Sequence, residues 1–363
     1  MSESSFSPGI YMTEWELCNL LLNTRLYRAL ESGASRYPIY RRQRFAAREN
    51  LQTLFDRMAT ELGWCAQRPG WNSIILDGPD FLVRGQGSAK THYCSCFFSI
   101  WAGSVASAED VQKRLLNLVG AARIQEPMFS IDWHFLTAKG ELESASIEEM
   151  ADDALLDEAY PELSGGVTPF IRRYLDAPET VLVLQGAPGT GKTRLIRAIL
   201  GEISRRNGGD AQALYTGDKK AMESDEIFVR FITGEENAFV VEDADHLLRP
   251  RSEGNENLHR FLTLADGVVR AQGRKIVFST NLPNLGDLDD ALIRPGRCFA
   301  RVQTRHLTAA ERDRLLARLC PGDANIRERA LRHLPPPSHA GYSLADIYQA
   351  FRAETETSGS GTQ

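Results

Sequence analysis

Residues 186 to 193 read Gly-Ala-Pro-Gly-Thr-Gly-Lys-Thr. Their types and spacing suit one chemistry, the holding of phosphate, and the string fits G-x-x-x-x-G-K-[ST]. Gly186, Gly189 and Gly191 permit backbone torsions and close approaches that side chains would block. The backbone N–H groups of the loop, which also contains Ala187, Pro188 and Thr190, then form an anion nest. Lys192 is expected to reach the β- and γ-phosphates of a nucleotide, and the Thr193 hydroxyl to ligate Mg2+. The positive end of the helix starting near Lys192 adds to the attraction.

Such a loop needs a strand before it and a helix after it. Val181-Leu182-Val183-Leu184 is a short apolar run of the kind found in buried parallel strands. Residues 194 to 200 follow with apolar side chains at helical spacing. About 50 residues on, Ala238-Phe239-Val240-Val241 leads into Glu242-Asp243, an apolar strand ending in adjacent carboxylates. The first acid is expected to help hold Mg2+ beside Thr193, and the second to orient the water that attacks the γ-phosphate. The usual order in such a pair is Asp then Glu. Here the second acid is the shorter, which sets the base back by about 1.5 Å unless the loop compensates. A third strand, Lys275 to Thr280, ends at Asn281, which can hydrogen-bond both the γ-phosphate and the attacking water, or cap a turn before Pro283.

Ser279-Thr280-Asn281, followed by Leu288-Asp289-Asp290-Ala291-Leu292-Ile293-Arg294-Pro295-Gly296-Arg297, resembles the second region of homology of AAA ATPases. With the glycine loop, this resemblance covers about residues 166 to 353. It implies ATP as the nucleotide, Asn281 as sensor 1, and Arg297 as an arginine finger reaching the neighbouring subunit's site. Many members carry a second arginine three residues on; here that residue is Ala300, so a single finger is implied. Arg294 either assists or fixes its loop by a salt bridge. The Glu-Asp order and the single finger are similar to one branch, that of the mitochondrial translocase of the folded Rieske protein. Gly341-Tyr342-Ser343-Leu344-Ala345-Asp346 is similar to the family's Gly-x-Ser-Gly-Ala-Asp lid segment, which places Ala345 at the nucleotide, with Leu344 where a glycine is usual. A ring follows from a finger supplied in trans, and hexamers are the family default.

The 363 residues are 42% hydrophobic and 25% charged, with a net charge of −6. That balance gives no global pull toward nucleic acid, which is not expected as a partner. No apolar run approaches a membrane span and the N-terminus lacks signal-peptide features, so a cytoplasmic protein without a membrane partner is expected. Six scattered cysteines, Cys18, Cys65, Cys94, Cys96, Cys298 and Cys320, lack zinc-ligand spacing and are expected to be buried thiols.

The fold class expected is α/β: a parallel P-loop sheet with a helical lid, preceded by a small α+β domain. Residues 1–160 are assigned to that first domain, ending in an acidic connector. Within it, helices are expected at 14–30, 45–64 and 108–119, and strands at 73–76, 81–83, 93–101 and 129–136. Residues 161–305 form the nucleotide domain, 306–353 the lid, and 354–363 a disordered tail.

Three kinds of work remain open. The protein remodels or translocates a protein client chosen by the N-terminal domain, or it is an ATP-controlled switch for an effector, or it acts on nucleic acid. The segment 217–223, where chain-threading members place an aromatic pore residue, offers only Met222 as a grip. Support for nucleic acid is local: Arg36, Tyr37, Tyr40, Arg41, Arg42, Arg44 and Arg48 mix basic and aromatic residues, which also fits a solvated helix start over core aromatics. Arg44 and Arg48 are expected on one helical face with Leu51 and Phe55. His134, between Trp133 and Phe135, is expected to be structural.

Overall fold

The structure is a computed structural model describing residues 13–30, 36–90, 92–125, 128–137, 140–150, 155–207, 211–250, 258, 260–261, 273–284, 288–294, 296–322 and 324–359. It divides into two compact units, Met1–Glu126 and Pro127–Gln363.

The first unit runs α1 (Glu14–Leu30), β1 (Ile39–Ala47), α2 (Leu51–Glu61), β2 (Cys65–Gly70), β3 (Ser73–Gly78), β4 (Phe81–Ala89), β5 (Cys94–Ala102) and α3 (Val105–Val119). Its sheet is antiparallel in the order β1-β5-β4-β3-β2. The two-residue alternation of strands sorts the core. Ile74, Leu76 and Val83 pack with Leu54, Phe55 and Met58 of α2 and Val111 and Leu115 of α3, whereas Ile75 and Leu82 pack with Cys18 and Leu22 of α1.

The helix expected over 45–64 starts only at Leu51. Asn50 caps it by accepting from the Gln52 and Thr53 N–H groups, and residues 39–47 are strand. Arg44 therefore lies on β1, not on a helical face with Arg48, Leu51 and Phe55. The basic and aromatic stretch is an edge strand: Arg41 and Arg42 are exposed, and Tyr40 packs on Trp101 of β5. Of the cysteines expected to be buried, Cys65 is exposed and Cys298 half-buried.

The second unit holds a seven-stranded sheet in the order β12-β8-β11-β10-β9-β6-β7. Its strands are β6 (Met128–Leu136), β7 (Leu142–Met150), β8 (Val181–Gln185), β9 (Gln212–Thr216), β10 (Ala238–Val241), β11 (Lys275–Thr280) and β12 (Cys298–Gln303). All neighbours pair in parallel except β6 with β7. Between the strands run α4 (Val167–Asp176), α5 (Lys192–Arg206), α6 (Lys219–Glu223), α7 (Asp225–Thr233) and α8 (Asp245–Leu248). Alternation again divides the interior. Leu182, Leu184, Val240 and Val277 face the layer of α4 and α5, and Val181, Val183, Phe239, Val241 and Phe278 face that of α7 and α8. Burial on both faces explains why these strands read as continuous apolar runs. Among the described residues, α9 (Ala309–Leu319), α10 (Ala324–His333) and α11 (Leu344–Gly359) follow.

The structure draws the division between units earlier than residue 160. Residues 129–136 are a strand, as their alternation indicates, but β6 pairs with β9 and extends the nucleotide sheet. Its partner β7 occupies part of the stretch read as a connector, including Glu148 and Glu149. His134 is 1% exposed on β6 and its neighbour Trp133 44% exposed, so the two point to opposite faces. The last helix continues to Gly359, six residues into the expected disordered tail; residues 360–363 lie outside the described residues. Met222 is fully buried in α6, so it cannot serve as a pore grip.

Thr308 and Glu311 form a capping box at the start of α9, and Arg305 donates to both Glu311 carboxylate oxygens at 2.8 and 2.7 Å. The Arg305 guanidinium holds the Glu311 carboxyl down to about 2, from an ordinary 4.5. The depressed value means that this stabilisation is present above pH 4.5 and is lost as pH falls toward 2. Glu311→Gln keeps the capping geometry and removes the charge. Its unfolding midpoint is expected to lie below wild type at pH 7 and to converge with it as the buffer is acidified through that window.

Candidate nucleotide site

The glycine loop joins β8 to α5, and its conformation requires its glycines at two positions. Gly189 and Gly191 have φ of 78° and 90°. A Cβ on Gly191 would meet the Tyr160 hydroxyl at 2.7 Å and Leu344 Cδ1 at 2.8 Å. Tyr160 donates to the Gly191 carbonyl at 2.9 Å, and burial raises its phenol pKa. Thr190 donates to the Ala187 carbonyl at 2.8 Å and lies 2.7 Å from the Thr304 hydroxyl, which ties the loop to the end of β12.

Lys192, the first residue of α5, is buried. Its Nζ donates to the carbonyls of Gly186 at 2.7 Å and Ala187 at 3.0 Å and to Asn281 Oδ1 at 2.9 Å. Burial lowers the Lys192 pKa, and the nearby Asp243, Asp245 and Glu242 oppose that effect. Asn281 Nδ2 in turn donates to Asp243 Oδ1 at 2.9 Å. Its backbone N–H is held by Asp245 Oδ1 at 2.8 Å. Asn281 thus bridges the lysine and the second acid.

The two acids diverge. Glu242 Oε1 accepts from the Thr193 hydroxyl at 2.6 Å, and Glu242 Oε2 accepts from the Tyr215 hydroxyl of β9. Asp243 has φ of 49°, the left-handed value that is uncommon for a side-chain-bearing residue and costs on the order of 1 kcal/mol or more. Among the described residues it is the one non-glycine with positive φ. Its N–H bonds Ser279 Oγ at 3.3 Å and its side chain lines the cleft. The longer acid reaches sideways to the threonine, and the shorter is turned into the cleft by its backbone.

The resulting cleft of about 900 Å³ is lined by Pro188, Gly189, Gly191, Lys192, Thr193, Glu242, Asp243, Asn281 and Ala345, all expected from the sequence. Arg194, Ser279, Tyr348, Gln349 and Arg352 also line it and were not foreseen. Arg194 stacks over the Tyr348 ring, 3.9 Å from its centroid, joining α5 to the lid helix α11. Ala345, Tyr348 and Arg352 recur at helical spacing, a signal that was present in the sequence. The Ala345 N–H donates to the Gly189 carbonyl at 3.1 Å, seating the lid on the loop. Leu344, found where a glycine is usual, is buried against Gly191 and also lines the cleft.

Arg297 does not line this cleft. Its carbonyl accepts from Val181 N–H, at the start of β8, whereas the glycine loop leaves the far end of that strand. About 13 Å of extended chain separates the two ends. Arg297 Nη1 donates to the Ala291 carbonyl at 2.8 Å, and Arg294 is exposed.

The donors fit a nucleoside triphosphate with Mg2+. A glycine cradle with no room for a Cβ at Gly186 or Gly191 carries a buried ammonium at its mouth, and a hydroxyl and a carboxylate lie side by side where the metal would sit. The metal would be held by Thr193 and Glu242, and when bound it would neutralise charge on the β- and γ-phosphates.

Fold and site together define a P-loop nucleotide-binding unit. Residues 182–306 match the sequence profile of the ATPase family associated with various cellular activities (AAA), so the second unit contains an AAA ATPase domain. The chain is 31% identical over 218 residues, 54% of its length, to the ATP-dependent zinc metalloprotease FtsH of Ralstonia pickettii, covering 30% of that protein. It is 30% identical over 254 residues to the ATP-dependent zinc metalloprotease FTSH 9, chloroplastic/mitochondrial, of Oryza sativa, 62% of this chain and 30% of the other. It is 28% identical over 185 residues to the ATPase family gene 2 protein of Schizosaccharomyces pombe, 48% of this chain and 22% of that one. The chain thus spans less than a third of the length of these curated relatives. No described helix is long and apolar enough to cross a membrane.

Proposed function

We propose that this protein is an Mg2+-dependent ATPase that assembles into a ring and uses the nucleotide cycle to remodel a folded protein client bound by its N-terminal unit. The observation that carries this reading is the division of the site. Lys192, Thr193, Glu242, Asp243 and Asn281 converge on one cleft, while Arg297 stands at the opposite end of β8. An arginine so placed completes a neighbour's cleft, not its own. Family rings support a closed assembly, with six subunits the default.

In this reading Lys192 holds the β- and γ-phosphates, Thr193 and Glu242 hold the metal, Asp243 takes or orients the proton of the attacking water, and Asn281 fixes that water's position. Asp243→Asn is expected to bind ATP with wild-type affinity and lose at least about 100-fold in turnover, the usual scale for removal of a general base. A phosphate-release assay beside a nucleotide-binding titration checks this. Normal turnover by Asp243→Asn, together with loss in Glu242→Gln, would exchange the roles of the two acids.

Remodelling of folded clients is favoured over threading of an unfolded chain by the segment after β9. Asp218 caps α6 through the Lys220 N–H and also accepts from the Leu136 N–H of β6, and Met222 is buried beneath it. The segment is tied to the sheet and presents no aromatic side chain. The Glu-Asp order and the single finger, similar to the branch that moves the folded Rieske protein, point the same way. The experiment is a test of steady-state ATP hydrolysis with ring size measured in parallel. A protein that hydrolyses no ATP in any assembly state would refute the reading.

A further inference from the structure

We propose that Tyr215 is a positioning residue for the Mg2+ side of the site, holding the Glu242 carboxylate in place through its second oxygen. The inference rests on the Mg2+-ATPase reading above and adds a residue to it.

Glutamate at position 242 has one methylene more than the aspartate usual there, and one more torsion to fix. Its backbone is anchored, since the Glu242 N–H donates to the Thr216 carbonyl of β9 at 3.0 Å. Its carboxylate is held at two points, by Thr193 Oγ1 at 2.6 Å and by Tyr215 OH at 2.5 Å. These two donors are not equivalent. The Thr193 hydroxyl is also the group offered to the metal, and an oxygen lone pair given to a cation leaves that hydroxyl differently oriented. Among the described residues, the hydrogen-bond partner of the Tyr215 hydroxyl is the Glu242 carboxylate, so this bond is not shared with the metal.

Tyr215 is itself well fixed. It sits opposite Val240 of β10 in register and opposite Trp133 of β6, between two strands. Its ring packs against the core shared with Leu195 and Ile199 of α5. Hydrogen bonds of this kind to a metal-side ligand typically tune metal affinity by 10- to 100-fold when removed.

The test uses the full chain and a fluorescent N-methylanthraniloyl ATP, titrated in EDTA and at a series of free Mg2+ concentrations. Tyr215→Phe keeps the ring and removes only the donor. The expected result is affinity in EDTA within about twofold of wild type, with the free Mg2+ needed for tight binding raised about tenfold. An unchanged Mg2+ requirement would overturn the proposal, as would loss of affinity in EDTA as well, which would make Tyr215 a support of the fold. A second pair of variants locates the effect. Glu242→Asp withdraws the carboxylate from Tyr215, so adding Tyr215→Phe on that background is expected to change nothing further. A further tenfold loss there would show that Tyr215 acts elsewhere. If wild type itself binds no nucleotide in either condition, the ATPase reading fails and this inference with it.

Discussion

Lys192→Ala is expected to abolish nucleotide binding. The wild-type ammonium is already inside the cradle, fixed by two loop carbonyls and by Asn281 within 3.0 Å. It is buried, so little water competes for it, and three carboxylates nearby help to keep it charged. Alanine removes the cation that faces the phosphates, and each charge-assisted hydrogen bond lost from such a site costs about 1.5–3 kcal/mol. Two such bonds to the β- and γ-phosphates correspond to a loss of at least about 100-fold in affinity. Calorimetric titration with ATP and Mg2+ checks the prediction. Because the substitution also leaves the Gly186 and Ala187 carbonyls without this donor, the thermal midpoint of the free protein is measured alongside. Binding within a few-fold of wild type would show that the loop backbone alone carries the affinity and that Lys192 is a structural clamp.

Arg297→Ala is expected to lower ATP turnover by about 1,000-fold or more while leaving ATP affinity within a few-fold of wild type, the scale set by arginine fingers in other phosphoryl-transfer sites. The separation of the two effects follows from position. Arg297 does not line its own cleft and its backbone pairs with the start of β8, so its removal does not disturb the cradle. Its guanidinium does hold the Ala291 carbonyl, and Arg297→Lys supplies a control with the charge kept and the fork lost. Phosphate release and nucleotide titration on the same preparation read the two quantities. Equal loss of both would mean that Arg297 supports the fold of its own subunit.

The glycine loop, the paired acids and Asn281, which the structure brings to one cleft, are legible in the sequence, because each is a residue type whose chemistry depends on its place at a strand end. The buried strands were legible too, since burial on both faces writes a continuous apolar run. Partnership was not. Residues 129–136 alternate as a half-buried strand does, but nothing local says that β6 pairs with β9, some 80 positions on, so the sequence alone groups this strand with the first unit. The basic residues near Arg44 suited a helix start until Asn50, the actual cap, is seen to begin the helix later. Met222 looked available because a short polar segment gives no sign of being stapled by Asp218. Tyr215 was invisible for a further reason: its role depends on a hydrogen bond between neighbouring strands, and its own sequence neighbours say only that it lies in one.

The central claim, that one subunit's Arg297 completes another's Lys192 site, is tested most directly by mixing two inactive variants. Lys192→Ala offers an intact arginine and a dead cradle, and Arg297→Ala offers a live cradle and no arginine. Co-assembled in equal amounts, they are expected to recover about a quarter of the wild-type rate per subunit, since in a randomly mixed ring one site in four pairs a live cradle with a supplied arginine. No recovery at any mixing ratio, in rings shown by native mass spectrometry to contain both variants, would contradict a shared site.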